Sequence, residues 1–137
     1  KALTRKGAYD NVVFHRVIDG FMAQTGDVQF GNSAKDFNPA QAGMGGSDLP
    51  DIKAEFSQEP FVRGTVGMAR AQSPDSANSQ FFITFGDASF LNGQYTVVGN
   101  VESGMELVDK IKKGDEAQNG VVSDPDKMVK VKIAADK

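Results

Sequence analysis

Cysteine is absent from this 137-residue chain, so there is no disulfide framework and no thiolate chemistry, and the compartment is left open. Histidine occurs once, at position 15. No apolar run approaches the roughly 20 residues that a membrane-spanning helix needs. An excess of either charge is missing too. The 15 Lys and Arg and 18 Asp and Glu are interspersed, and the formal net charge is -3. A nucleic-acid partner requires a basic surface that displaces counterions, so that class is set aside. Gly45-Gly46-Ser47 lacks the lysine of a phosphate loop and reads as plain loop. The five Met are scattered and mark no metal site. There is no internal repeat and no low-complexity tract.

What is present suits a globular protein. Apolar residues make up 39% of the chain, and ten are Phe. The length fits one domain over 1–137, able to bury roughly 68–70% of its unfolded surface. Lys1 to Gly7 reads as the last turns of a helix, basic at its end, with Gly7 just past it. No capping residue stands in front, so earlier elements and any targeting segment are expected to precede Lys1.

Residues 11–18 read as a strand, with Phe14, Arg16 and Ile18 on one face and Val13, His15 and Val17 on the other. Asp19-Gly20 is a turn signal, and Phe21 to Thr25 a second strand. Phe21 and Met22 can face one pocket only across a bulge or bend. Residues 26–60 are rich in Gly, Asp, Asn, Ser and Pro and read as a functional surface loop. Phe61 to Ala69, Gln80 to Thr84 and Tyr95 to Val101 are extended patterns, with Asn92-Gly93 a tight turn before the last. Ser103-Gly104-Met105-Glu106 has the form of a capping box, followed by a helix face of Met105, Val108 and Ile111. Val129, Val131 and Ile133 alternate with lysines in a closing strand. The elements predict an α+β, mainly β chain, a barrel capped by helices.

Within this frame Arg16 is out of place, because a permanent charge has no ordinary structural use inside an apolar run. A short strand-turn-strand unit brings it near Phe21, Met22 and Gln24. Ser79-Gln80-Phe81-Phe82 repeats the theme of an amide beside aromatics. Together they predict a shallow apolar site holding one fixed cation. Arg16 taken alone reads as a solvated strand residue; Phe21, Met22 and Phe82 taken alone read as core. His15 reads as a hydrogen-bonded barrel residue turned away from Arg16, and nothing points a nucleophile at it.

Phe14-His15-Arg16-Val17-Ile18, Gly20-Phe21-Met22-Ala23-Gln24, Gly67-Met68-Ala69-Arg70-Ala71, Asn78-Ser79-Gln80-Phe81-Phe82-Ile83 and Phe90-Leu91-Asn92-Gly93 closely resemble, in order, the cyclophilin family of peptidyl-prolyl cis/trans isomerases, in a bacterial form. The resemblance implies an eight-stranded antiparallel barrel closed by two helices, with the first two strands and most of the first helix before Lys1. It implies that Arg16 is catalytic with Gln24 beside it. Phe21, Met22, Phe82 and Leu91 then form the proline pocket, and Ala69, Arg70, Ala71 and Gln80 hold the substrate backbone. Phe90 stands where many eukaryotic members have Trp, which implies weak binding of cyclosporin; Tyr95 stands where they have His, which keeps an aromatic wall with a different polar tip. The implied partners are proline-containing polypeptides, acted on by a monomer without metal or cofactor, in the bacterial periplasm or cytoplasm. An alternative is a proline-peptide binding module or chaperone with little turnover, for which the Phe90 and Tyr95 changes speak.

The chemistry suits the residue types. Partial double-bond character resists rotation of a peptide bond by ~18–20 kcal/mol. A guanidinium aimed at the proline nitrogen of the twisted imide binds that state more tightly than either planar isomer, and so lowers the barrier.

Overall fold

The structure is a computed structural model that describes residues 1–35 and 37–136. Among these, seven strands form two antiparallel sheets. A five-stranded sheet has the order β2 (Arg16–Ile18), β3 (Met22–Thr25), β5 (Phe81–Thr84), β4 (Thr65–Met68), β6 (Val97–Asn100). A two-stranded ribbon joins β1 (Val12–Val13) to β7 (Lys127–Met128). The helices α1 (Ala2–Arg5) and α2 (Met105–Val108) are short. The chain is therefore mainly β, with no closed barrel among the described residues.

Register places the site. Arg16 lies opposite Gln24, Gln24 opposite Phe82, and Phe82 opposite Gly67, so one row crosses four strands on one face. Because side chains alternate, Val17 and Ala23 point to the other face. Each face builds its own core. Met22, Phe61, Phe82, Ala88 and Leu91 cluster on the Arg16 side. Phe14, Val17, Ala23, Phe85 and Val122 cluster on the other side, covered by Met105, Val108, Ile111 and Met128. The buried hydroxyls of Thr25 and Thr84 donate to the carbonyls of Val13 and Thr65 at 2.8 and 3.2 Å, so burying these polar strand residues leaves no unmade bond there.

Several expectations are corrected. The strand expected over 11–18 is two, because its first half pairs with β7 and its second with β3. Between them the Phe14 N–H turns to the Asp126 carbonyl at 2.8 Å. Alternation is lost at this break, and Val12 to His15 are all buried. The bend needed at Phe21 is a turn: Gly20 has φ +76°, and the Phe21 N–H bonds Ile18 O at 3.0 Å. The capping box does not form. Gly104, at φ +83°, is the N-cap of α2, and no side chain caps the helix. Met105, Val108 and Ile111 pack partly buried against a core cluster, but α2 ends at Val108, so Ile111 joins them from beyond the helix. The closing strand expected over Val129 to Ile133 does not form: pairing ends at β7, just before it, and Val129 is exposed. Asn92-Gly93 is not a two-residue hairpin. It follows a 3-10 turn at Ser89–Leu91, and the Asn92 Oδ1 accepts from the Phe61 N–H at 2.8 Å.

Candidate active site

Arg16 leaves β2 on the face of the row and is held on two sides. Its Nη1 donates to Gln24 Oε1 at 3.1 Å. Its Nε donates to the Asn119 carbonyl at 2.9 Å, and its Nη2 to Asn119 Oδ1 at 3.0 Å. A guanidinium has five N–H donors. The three bonds leave two of them without a protein partner among the described residues. Half-burial lowers the Arg16 pKa from the ordinary arginine value, and the Tyr95 phenol opposes that shift. The group nonetheless remains a cation at neutral pH.

Asn119 was not legible as a site residue. It sits at φ +60° after the 3-10 turn Glu116–Gln118, a left-handed position that Asn tolerates. The following Gly120 brings the backbone against β2, its carbonyl oxygen accepting from the Val17 N–H at 2.9 Å. A Cβ on Gly120 would stand 2.7 Å from Ile18 Cγ1, so only glycine allows the approach. The Asn119-Gly120 pair is a turn signal in the sequence, and that was the available clue.

Beside the guanidinium lies an open cavity of about 430 Å³. Phe21, Met22, Phe82, Leu91 and Tyr95 line it with Ala69, Arg70, Gln24 and Arg16 itself. Its aromatic parts brace one another. Phe82 stacks on the buried Phe61 with ring centroids 5.7 Å apart, and meets Tyr95 edge-on at 5.9 Å. Arg70 lies over Tyr95 at 4.6 Å. Its donors go to the carbonyls of Ala71, Gln72 and Gln94, which fixes the guanidinium against backbone. An adjoining groove of about 480 Å³ shares Gln24, Ala69 and Arg70 with the cavity and adds Ala71 and Gln80. Phe90 lines neither. It is 64% exposed and leans on Phe21 at 5.4 Å.

His15 departs from expectation. It lines the same cavity as Arg16, and both its ring nitrogens are buried without a partner among the described residues. Burial lowers its pKa to about 4; Asp27 opposes and Arg16 assists that shift. The ring is neutral at pH 7, and unlike a solvent-facing histidine it adds no charge to the site. No group of three metal-ligating side chains occurs among the described residues.

A family model described as cyclophilin type peptidyl-prolyl cis-trans isomerase/CLD matches residues 1–133. A probable peptidyl-prolyl cis-trans isomerase of Brucella abortus is 69% identical over 136 residues, covering 99% of this chain and 69% of the relative. Peptidyl-prolyl cis-trans isomerase B of Escherichia coli is 37% identical over 88% of this chain and 72% of its own length. Among solved structures, a cyclophilin of Hirschia baltica superposes with a TM-score of 0.79 at 22% identity, over 99% of this chain and 64% of that one. A Cryptosporidium parvum cyclophilin type isomerase, solved in the presence of the dipeptide Ala-Pro, gives 0.76 at 28% identity, over 96% and 80%.

Proposed function

Because the chain belongs to the cyclophilin type of peptidyl-prolyl cis-trans isomerases, we propose that it accelerates rotation about X–Pro bonds of unfolded or flexible polypeptides through Arg16, and so assists folding. The observation that carries this reading is the Arg16 fork: Gln24 and Asn119 clamp it through three acceptors, and it stands at the edge of an apolar cavity lined by Phe21, Met22, Phe82 and Leu91. X–Pro isomers are nearly balanced but interconvert over roughly tens to hundreds of seconds. A site that favours the twisted imide therefore needs no driving force, only differential binding of that state.

Phe21, Met22, Phe82 and Leu91 seat the pyrrolidine ring and keep water from it. In that setting the free N–H donors of Arg16 act on the imide nitrogen as its lone pair localises, more strongly than they would in water. Gln24 keeps the fork oriented. Ala69, Arg70, Ala71 and Gln80 bound the groove in which the flanking backbone lies, with Tyr95 as the wall between. The Ala-Pro dipeptide of the Cryptosporidium relative supports a proline-containing ligand here. Phe90 contributes an exposed rim ring without an N–H donor, in keeping with weak binding of cyclosporin. The finer architecture in the same proposal is a closed eight-stranded barrel with helices at its ends; the outer edge of β6, bonded on one side to β4, supports it.

Replacing Arg16 by Ala tests the reading. Exchange NMR on an X–Pro peptide should show kcat reduced about 10²–10³-fold, the range for loss of one preorganised donor, with the peptide still bound. An undiminished rate removes Arg16 from the mechanism. A wild-type chain that binds the peptide without speeding exchange is a binding module.

A further inference from the structure

Asp27 lies just past β3, outside the cavity, and is fully buried. Among the described residues it has no ion-pair partner. A carboxylate withdrawn from water is costly unless hydrogen bonds replace its hydration. Here four backbone N–H groups do so. Oδ1 accepts from Gln29 and Phe30 at 3.0 and 2.9 Å, which closes the turn that Asp27 begins. Oδ2 accepts from Gly43 and Gly45 at 2.7 and 3.0 Å, 16 and 18 residues along the chain. The first pair is ordinary turn chemistry. The second pair pins a distant loop, and it is the pair that the turn does not require.

That loop leads back to the guanidinium. The carbonyls of Gly43 and Gly45 accept from Gln80 Nε2 at 2.8 and 3.0 Å. Gln80 Oε1 accepts from Gln24 Nε2 at 2.9 Å, and Gln24 Oε1 accepts from Arg16 Nη1 at 3.1 Å. The chain of bonds from buried carboxylate to guanidinium has no gap. It also has a direction, because a carboxamide donates from one end and accepts at the other. Two fixed carbonyls turn the nitrogen of Gln80 to the loop and its oxygen to Gln24, and Gln24 is thereby forced to offer oxygen to Arg16. With Gln24 reversed, an NH2 would face the guanidinium; with Gln80 reversed, its NH2 would oppose that of Gln24, and either way the clamp would repel.

We propose that Asp27 is a positioning residue for the isomerase reaction, holding the Arg16 fork in register through the Gly43–Gly45 loop and the Gln80 and Gln24 amides. This rests on the role given to Arg16 above. The loop glycines fit the arrangement: a Cβ on Gly45 would fall 2.5 Å from Asp27 Oδ1, and one on Gly43, at φ +102°, would fall 3.0 Å from the His15 ring.

Asp27→Asn keeps the shape and the turn but sets an NH2 against the Gly43 and Gly45 N–H groups. Its kcat for an X–Pro peptide should fall about ten-fold, less than the roughly 10²-fold that a 1 Å misplacement can cost, while the affinity for Ala-Pro stays near wild type. The Arg16 Nε–H resonance should shift, and Asp27→Asn should cost nothing further in the Arg16→Ala background. If Asp27→Asn does not fold, Asp27→Ser keeps a turn acceptor without the opposed donors and carries the same expectation. A folded Asp27 variant with wild-type kcat, or a loss that adds fully to that of Arg16→Ala, overturns the proposal. If Arg16→Ala itself is undiminished, it is the reading of Arg16 that fails.

Discussion

Gly67 offers the sharpest test of how the sheet shapes the proline seat. It lies in β4 directly opposite Phe82, under the Phe61–Phe82 stack. In Gly67→Ala the new Cβ would stand 2.7 Å from both Phe61 Cε1 and Phe82 Cζ, and 3.0 Å from Phe61 Cζ. Carbon atoms rest at about 3.5–4.0 Å, so each of the two contacts is short by roughly 0.8 Å or more. Phe61 is fully buried and has nowhere to go. Phe82 borders the cavity, and it is the ring that moves. Overpacking of this kind costs ~1–3 kcal/mol. At roughly 3–5 °C per kcal/mol for a chain of this size, the melting temperature should drop by about 3–15 °C. The displaced ring enters the space proposed for pyrrolidine, so an NMR titration with Ala-Pro should give a Kd raised about ten-fold, equivalent to ~1.4 kcal/mol. The bound-state exchange rate should change less, because the Arg16–Gln24 pair lies beyond β5. A Gly67→Ala protein with wild-type melting temperature and Kd would refute the claim that Phe82 is the seat's floor.

Two further tests address the other supports of the site. Asn119→Gly removes the Oδ1 acceptor at 3.0 Å from Arg16 while suiting φ +60°, so kcat should fall about five- to ten-fold with little change in stability, in line with the ~1.5 kcal/mol of a charged hydrogen bond; Asn119→Ala should add about 1 kcal/mol of destabilisation from left-handed strain, and equal melts for the two variants would count against it. For His15 the folded pKa is about 4, against an ordinary histidine value of 6.5. Between those values the unfolded chain holds the extra proton, so this contribution to stability is full above about pH 6.5 and is lost as pH falls toward 4, by about 3 kcal/mol. Urea unfolding from pH 7.5 to 4.5 should show a His15→Leu curve flatter by that amount, and parallel curves would refute it.

The sequence carried the site further than it carried the strands. Arg16, Gln24 and Phe82 were legible because strand registry puts motif residues opposite one another across β2, β3 and β5. The apolar seat followed, since a single turn at Gly20 lets both Phe21 and Met22 face it. Loop partners were not legible. Asn119 reaches Arg16 across 103 residues, and the Gly43 loop is drawn in by a carboxylate that no local pattern singles out. Alternation failed at Phe14 and His15 because the chain changes sheets there, which a period of two cannot signal. The capping motif failed because Gly104 took the cap position in a left-handed conformation, displacing Ser103.

The five-stranded sheet separates two apolar clusters, and side chains alternating along β2 and β3 feed one or the other, never both. Changes at Val17 and Ala23 can therefore alter stability without bordering the cavity, whereas those at Met22 and Phe82 affect both. On the Val17 and Ala23 side, methylene-sized drift meets the partly buried Met105 and Val108 of α2, away from the cavity. On the Met22 and Phe82 side the same drift is felt by every client chain.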